Sequence, residues 1–287
     1  MTADGPDVLD VPPPAAAPRR RTARGERGRE RYPAVLMTLA ALGVLVIVAP
    51  LAGLVARAPW GSLVELLSAP GNRQALWLSV FCSVTTAVVC VLLGVPLAWV
   101  VQRTRLPGRR VLHALTTLPV VLPPIVGGVA LLLAFGREGL LGGFLEDTFG
   151  IRLAFTTPGV ILAQTFVSLP FLVLAISGAL QSRDRHLEEA ARTMGAGPWR
   201  VFWRVTLPLI RPSLIAGAVL AWARALGEFG ATITFAGNFP GRTQTMPLAV
   251  YMALETDPDA AVALSLVLVA VSLAVLIGMR RRWTGAL

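Results

Sequence analysis

Arg224 and Glu228 are residues of opposite charge that the sequence places together in a long apolar stretch, roughly residues 212–235. Their spacing of four residues lets both side chains meet on one face of a helix. Ionisable residues inside a membrane span are costly and are usually paired or functional. Two interpretations are open: a mutually neutralising pair that holds helix packing, or a pair that steers an anion or latches a gate.

Other residue types that carry chemistry are sparse. Cys82 and Cys90 are separated by about 12 Å along a helix, too far for a disulfide. His113 and His186 have no Cys or carboxylate at ligand spacing, so we predict no metal site. Paired carboxylates and nucleophile–base arrangements are missing, so we predict no catalytic residue and no enzyme activity. All 26 basic residues are Arg, and without Lys the chain cannot carry a Walker-type phosphate loop of its own.

The elements that position the charged pair are transmembrane helices. Hydrophobic residues make up 55% of the chain and charged residues 15%, against about a quarter charged in soluble proteins. Several apolar runs reach the ~20 residues that cross a bilayer. We therefore predict an all-α polytopic membrane protein with a six-helix domain over residues 34–279. The predicted spans are 34–56, 75–101, 111–135, 158–180, roughly 212–235, and 260–279.

The arginines predict the orientation of these spans. Twenty lie in residues 1–33, 102–110, 181–211 and 280–287, whereas the loops on the opposite side hold five. Because cytoplasmic loops carry the excess of basic residues, both termini are predicted to be cytoplasmic. This position explains the basic excess without a nucleic-acid partner. Residues 1–33 are rich in Pro, Ala and Arg and are predicted to be a disordered tail, and residues 280–287 a second cytoplasmic tail.

Proline-rich positions indicate irregular spans. The stretch "LPVVLPPIVGG", Leu118–Gly128, combines three prolines with two glycines. In lipid, the backbone groups that proline leaves unpaired need neighbouring helices or water. We therefore predict a bent helix beside a cavity here.

Residues 182–211 form a cytoplasmic segment with the character of a soluble protein. Asp184 is predicted to cap its first helix, and Glu188 and Arg192 are spaced as an i,i+4 ion pair on one side. The opposite, apolar face consists of Leu187, Ala190, Ala191 and Met194. A helix lying on a membrane favours bulky apolar residues, whereas small alanines let a helix seat in a protein groove.

A second helix follows two glycines. Gly195 and Gly197 are predicted to end the first helix, and Pro198 suits the first turn of the next. That helix presents Trp199, Phe202 and Trp203 to the membrane interface. The pair Leu207-Pro208 is predicted to break the chain before the fifth span.

The spacing of "EAARTMG", nine further residues and "VTLP" resembles the EAA loop of the inner-membrane permease subunits of ABC importers. The resemblance implies the type I permease fold and a coupling helix that docks on a separate ATP-binding subunit, which would hold ATP and Mg. The residues that carry it are Glu189, Ala190, Ala191, Gly195, Val205, Leu207 and Pro208. Val205 stands where the motif usually has Ile.

The fifth span continues as "ARALGEFGATITFAGNFPGRTQTMPLAVY", Ala223–Tyr251, and resembles the molybdate/tungstate permease group. The sulfate/thiosulfate group shares the Glu-Phe-Gly-Ala core and remains an alternative. The resemblance implies half of a homodimeric pore in a bacterial inner membrane. Its implied partners are a second copy of the chain, an ATPase dimer on the cytoplasmic side and an extracytoplasmic oxyanion-binding protein.

Moving a dianion inward against ~100 mV costs about 4.6 kcal/mol, so such a pore needs an energy source. The candidate pore or gate residues are Arg224, Glu228, Phe229, Thr232, Thr234 and Asn238.

An ion-coupled secondary carrier with Glu228 as its proton site is the alternative from another class. Its uptake would follow the proton gradient and survive ATP depletion, and it leaves the spacing of the cytoplasmic motif unexplained.

Overall fold

The structure, a computed structural model, describes residues 34–103, 107–182 and 186–283, and these ranges contain helices and turns but no β-strand. The chain divides into two compact units, Met1–Ala49 and Pro50–Leu287, with the boundary inside the first helix. The helices are α1 Ala34–Ala56, α2 Leu63–Ser68, α3 Pro70–Arg103, α4 Arg109–Val121, α5 Pro124–Phe135, α6 Gly142–Phe149, α7 Thr157–Ser182, α8 His186–Thr193, α9 Pro198–Val201, α10 Leu207–Leu226, α11 Gly230–Ala236, α12 Met246–Thr256 and α13 Pro258–Trp283. A π-helical turn, Phe202–Thr206, joins α9 to α10.

Five helical stretches in the described ranges are long and apolar enough to cross a membrane. They are residues 34–56, 70–102, 157–182, 198–226 and 258–278. Helices α1, α3, α7 and α13 each cover one predicted apolar run without interruption. The other two predicted runs are interrupted, so the number of six crossings stays a prediction. The predicted tail at residues 1–33 and the last four residues of the predicted tail at 280–287 lie outside the described residues, whereas residues 280–283 continue α13.

The third apolar run is broken into two helices instead of forming one bent helix. Helices α4 and α5 have 13 and 12 residues, and the chain between them is extended at Leu122 and Pro123. The prediction of a continuous helix over residues 111–135 is therefore wrong. Two successive prolines lack backbone donors, and each also disfavours the helical conformation in the residue before it.

The fifth apolar run differs from the prediction at both ends. Helix α10 ends at Leu226 and α11 begins at Gly230, so Glu228 lies in a break between helices instead of inside one. At its N-terminal end the predicted break at Leu207-Pro208 is wrong, because the Leu207 amide donates to the carbonyl of Phe202 and continues the helix. This five-residue spacing is that of a π turn, and Pro208, which has no amide to donate, lies directly after it within the continuous helix.

Helices α3, α7 and α10 share one hydrophobic core. Its buried residues are Cys90, Val95 and Ala98 from α3, Leu172, Val173, Ile176 and Leu180 from α7, and Ile210 and Ala221 from α10. Buried polar side chains also join the helices, since Thr86 donates to Gln164 Oε1 at 3.0 Å. In lipid, the hydrophobic effect does not drive helices together. Small residues let the helices approach closely, and hydrogen bonds between polar side chains hold them together.

Glycine permits a close crossing between α5 and α11. A Cβ at Gly128 would lie 2.6 Å from the Cβ of Thr234 and 3.0 Å from the carbonyl oxygen of Ala231. A Cβ at Gly230 would lie 2.9 Å from the Cβ of Pro124. Gly128 of "LPVVLPPIVGG" and Gly230 therefore allow the two interrupted segments to come into contact.

This crossing makes Gly128 intolerant of a side chain. Gly128→Ala should lower the free energy of unfolding by about 1–3 kcal/mol, because a methyl group overpacks the crossing. The measurement is the thermal unfolding midpoint of the purified chain in detergent. Gly178→Ala is the matched control, since Gly178 has open space around it and alanine favours a helix. Equal midpoints for wild type and Gly128→Ala would contradict the close crossing.

Candidate functional site

The turn after α8 is closed by a hydrogen-bond pattern that requires glycine. The Gly195 amide donates to the carbonyl of Arg192 at 2.9 Å, and the Ala196 amide donates to that of Ala191 at 3.0 Å. These two bonds form a Schellman motif, in which the residue after the helix adopts a left-handed conformation. Gly195 has φ +84° and fits this position. The predicted end of the helix at Gly195 is confirmed, and Pro198 begins α9 as predicted. Asp184, the predicted cap of the first helix, lies outside the described residues.

Helix α8 has one face packed on its own chain and one face exposed. Ala191 is buried against the chain, whereas Leu187 is 51% and Met194 is 82% exposed. Ala190 is also exposed. The predicted apolar face is therefore divided: Ala191 packs inward, and the other three residues form a small apolar surface, hereafter the α8 surface.

Glu189 lies outside the buried side of α8. Its side chain is 66% exposed, and Oε2 is 3.6 Å from His186 Nδ1. The side chain of Glu188, in contrast, is buried, and its Oε1 accepts a hydrogen bond from Thr206 Oγ1 at 2.5 Å. The prediction that placed Glu188 in an exposed ion pair is wrong. The i,i+4 rule describes an isolated helix, and here a partner eighteen residues further along the chain buries the carboxylate.

The second half of the segment is anchored in the helical core. Phe202 and Leu207 pack against the core shared by α3, α7 and α10. Val205 is half-buried, and Pro208 is exposed in the first turn of α10. Trp199, Phe202 and Trp203 form an aromatic cluster with ring centroids 5.5–6.0 Å apart. The exposure of both tryptophans fits the predicted interfacial position.

The break between α10 and α11 is organised around Glu228, which is 1% exposed. Glu228 Oε2 forms an ion pair with Arg224, whose side chain is 27% exposed. Glu228 Oε1 accepts the amide of Ala231 at 2.8 Å. The carboxylate therefore neutralises a cation and also satisfies an amide in the first turn of α11, where backbone donors lack helical partners. Sequence reasoning found the pair and missed this second contact, although Gly227 and Gly230 within an apolar run signal a break.

The remaining candidate pore residues lie on and beside α11. Phe229 is half-buried, and its ring centroid is 5.2 Å from that of Tyr251. The Thr234 hydroxyl donates its hydrogen to the carbonyl of Gly230 at 2.9 Å, within the same helix. Thr232 Oγ1 and Asn238 Oδ1 are buried and find no hydrogen-bond partner among the described residues. These two polar atoms are the ones that remain available to a further group.

Helix α10 connects the π turn that follows α9 with the Glu228 break. Thr206 and Arg224 are separated by roughly 27 Å along the axis of α10, at 1.5 Å per residue. The structure thus brings the EAA-loop residues together at one end of α10 and the charged pair at the other. It does not bring the two groups into contact, so any effect between them must pass through α10 and the helices that pack on it.

Comparisons with known proteins agree with this arrangement. A family model described as "Binding-protein-dependent transport system inner membrane component" matches residues 91–282. The molybdenum transport system permease protein ModB of Mycobacterium bovis is 51% identical over 84% of this chain and 90% of its own length. ModB of Escherichia coli K12 is 44% identical over 72% of this chain and 92% of its own. The sulfate transport system permease protein CysW of Synechococcus elongatus is 36% identical over 83% of this chain and 84% of its own.

The fold is also that of solved transporters. A crystal structure titled as the bacterial alginate ABC transporter, in complex with an alginate pentasaccharide-bound periplasmic protein, aligns with a TM-score of 0.71 and 18% identity. The alignment covers 86% of this chain and 91% of the solved one. The all-α, type I permease fold is therefore confirmed. The chain belongs to the family of binding-protein-dependent transport system inner membrane components, the membrane-embedded permease subunits of ABC importers, whose ATPase activity lies in a separate subunit.

Proposed function

We propose that this chain is the permease of an ATP-driven molybdate importer, working as a homodimer with an ATP-binding subunit dimer and an extracytoplasmic binding protein. The assignment of the substrate is supported by the 51% identity to a molybdenum permease over 84% of the chain. The identity to a sulfate permease is 36% over a similar share of the chain. Tungstate has the same shape and charge as molybdate and is included in the proposal.

The α8 surface is the proposed contact for the ATP-binding subunit. Leu187, Ala190 and Met194 leave an apolar strip exposed on a helix whose other side is held by its own chain. The small residue at the middle of the strip allows a close fit. When a helix binds in a groove, residues at positions i, i+3 and i+7 make anchoring contacts, and these three residues have that spacing. The arginine distribution supports a cytoplasmic position for this surface, within reach of an ATPase.

The pore is proposed to bind its anion weakly. Arg224 is neutralised by Glu228, so the fifth span offers no uncompensated cation among its described residues. Thr232 and Asn238 provide neutral polar groups instead. Holding a dianion tightly in a low-dielectric path would slow its release, so selection is assigned to the binding protein. The Arg224–Glu228 pair, with Phe229 beside it, is proposed to shape the break that opens and closes.

Ala190→Tyr should weaken the contact with the ATP-binding subunit. Its bulk prevents a close fit, and we expect at least about a fivefold loss of affinity, as overpacking costs about 1–3 kcal/mol. The measurement is co-purification of the ATP-binding subunit with the membrane-inserted permease. Arg192→Tyr places the same tyrosine side chain on the opposite, exposed side of α8 and should retain the complex. Wild-type recovery of the ATP-binding subunit with Ala190→Tyr would show that the α8 surface is not the contact.

Uptake by proteoliposomes tests the substrate. With the cognate binding protein and ATP-binding subunit, labelled molybdate should enter only when ATP is supplied, and excess tungstate should compete better than excess sulfate. Preferential competition by sulfate would move the assignment to the sulfate group. Uptake that survives without ATP and follows an imposed proton gradient would support the secondary carrier.

A further inference from the structure

The buried carboxylate of Glu188 is the feature of the cytoplasmic segment that its motif does not explain. Glu188 is 5% exposed, and Thr206, which donates to it at 2.5 Å, is fully buried. That oxygen–oxygen separation is typical of a hydroxyl bonded to a carboxylate, a class roughly twice as strong as neutral hydrogen bonds. Burying a carboxylate is costly, so its position on α8 calls for a specific role.

Thr206 is the last residue of the π turn and the residue immediately before α10. The turn is held from both sides, because Val201 and Ile210 are buried before and after it. Helix α10 then packs on α3 and α7 along the shared core. A group bonded to Thr206 is therefore bonded to a helix that is fixed in the membrane bundle.

The covalent connection from α8 to that helix runs through Gly195 and Gly197, and neither glycine has a side chain that could pack on the bundle. The Schellman bonds at Gly195 join the turn to α8 itself and not to α10. The contacts of α8 within the described chain go chiefly to α9 and the π turn, where Thr206 lies.

We propose that Glu188 is a positioning residue for transport: its bond to Thr206 locks α8 to α10, so that a displacement of α8 moves α10 and the Glu228 break as one lever. This inference rests on the proposed function, since it assumes that the ATP-binding subunit displaces α8. It assigns docking and transmission to opposite sides of one helix. The exposed α8 surface makes the contact, and the buried Glu188 passes the movement on.

Thr206→Val and Thr206→Ser form the test pair. Valine keeps the shape of threonine and removes the donor, whereas serine keeps the donor. In proteoliposomes that contain the complete transporter, Thr206→Val should retain the ATP-binding subunit and ATP hydrolysis. Molybdate taken up per ATP hydrolysed should fall about tenfold or more, the factor that a buried hydrogen bond to a charged group supplies. Thr206→Ser, which keeps the donor, should remain close to wild type.

Hydrogen exchange of the same complexes gives a second measurement that does not depend on substrate. Backbone amides of α8 should exchange about tenfold or more faster in Thr206→Val and at the wild-type rate in Thr206→Ser, because local opening follows the lost bond. Unchanged exchange in Thr206→Val, unchanged uptake per ATP, or equal impairment by Thr206→Ser would overturn the lever. Loss of the ATP-binding subunit from Thr206→Val would overturn it too, by making the bond part of docking. Absence of molybdate uptake in the wild type would count against the proposed substrate alone, and the exchange rates would still decide the lever.

Discussion

Every backbone amide and carbonyl in a bilayer must find its hydrogen-bond partner within the protein, and the two interrupted segments of this chain show how that constraint is met. The break at Leu122–Pro123 is followed by Pro124, the first residue of α5, and neither proline has an amide to satisfy. The break between α10 and α11 is stabilised by Glu228, which accepts the amide of Ala231. The segments that follow the two breaks are packed together, with Gly230 against Pro124 and Gly128 against Ala231. The close packing of these segments therefore accompanies both interruptions of the helical backbone.

The same constraint links the membrane part to its cytoplasmic segment. A proline at position 208 would end an ordinary helix, and the π turn keeps the hydrogen-bonded path intact from α9 into α10. The consequence is mechanical. Thr206, which bonds to Glu188 of α8, lies immediately before α10, the Glu228 break lies immediately after it, and α10 itself is packed on α3 and α7. In an importer whose motor is a separate subunit, such a helix is a direct route for movement.

The parts that sequence reasoning predicted correctly depend on local rules. The bounds of α1 match the apolar run Ala34–Ala56 because bilayer thickness sets the length of a span. The end of α8 at Gly195 was predictable because the motif needs a left-handed residue there. The parts that it missed depend on partners distant in sequence. Glu188 is buried because Thr206 folds back against it, and no i,i+4 rule contains that information. The break at residues 227–229 follows from a cap and a crossing that exist only in the folded bundle.

The central claim is that the exposed side of α8 meets the ATP-binding subunit. A photoreactive amino acid at position 194 tests it most directly, since Met194 is 82% exposed beside Ala190. Irradiation of the assembled transporter should yield a covalent adduct with the ATP-binding subunit. The same probe at Leu140, 89% exposed in a loop predicted to lie on the opposite side of the membrane, should yield none. An adduct of position 194 with the extracytoplasmic binding protein, or with lipid alone, would contradict the account.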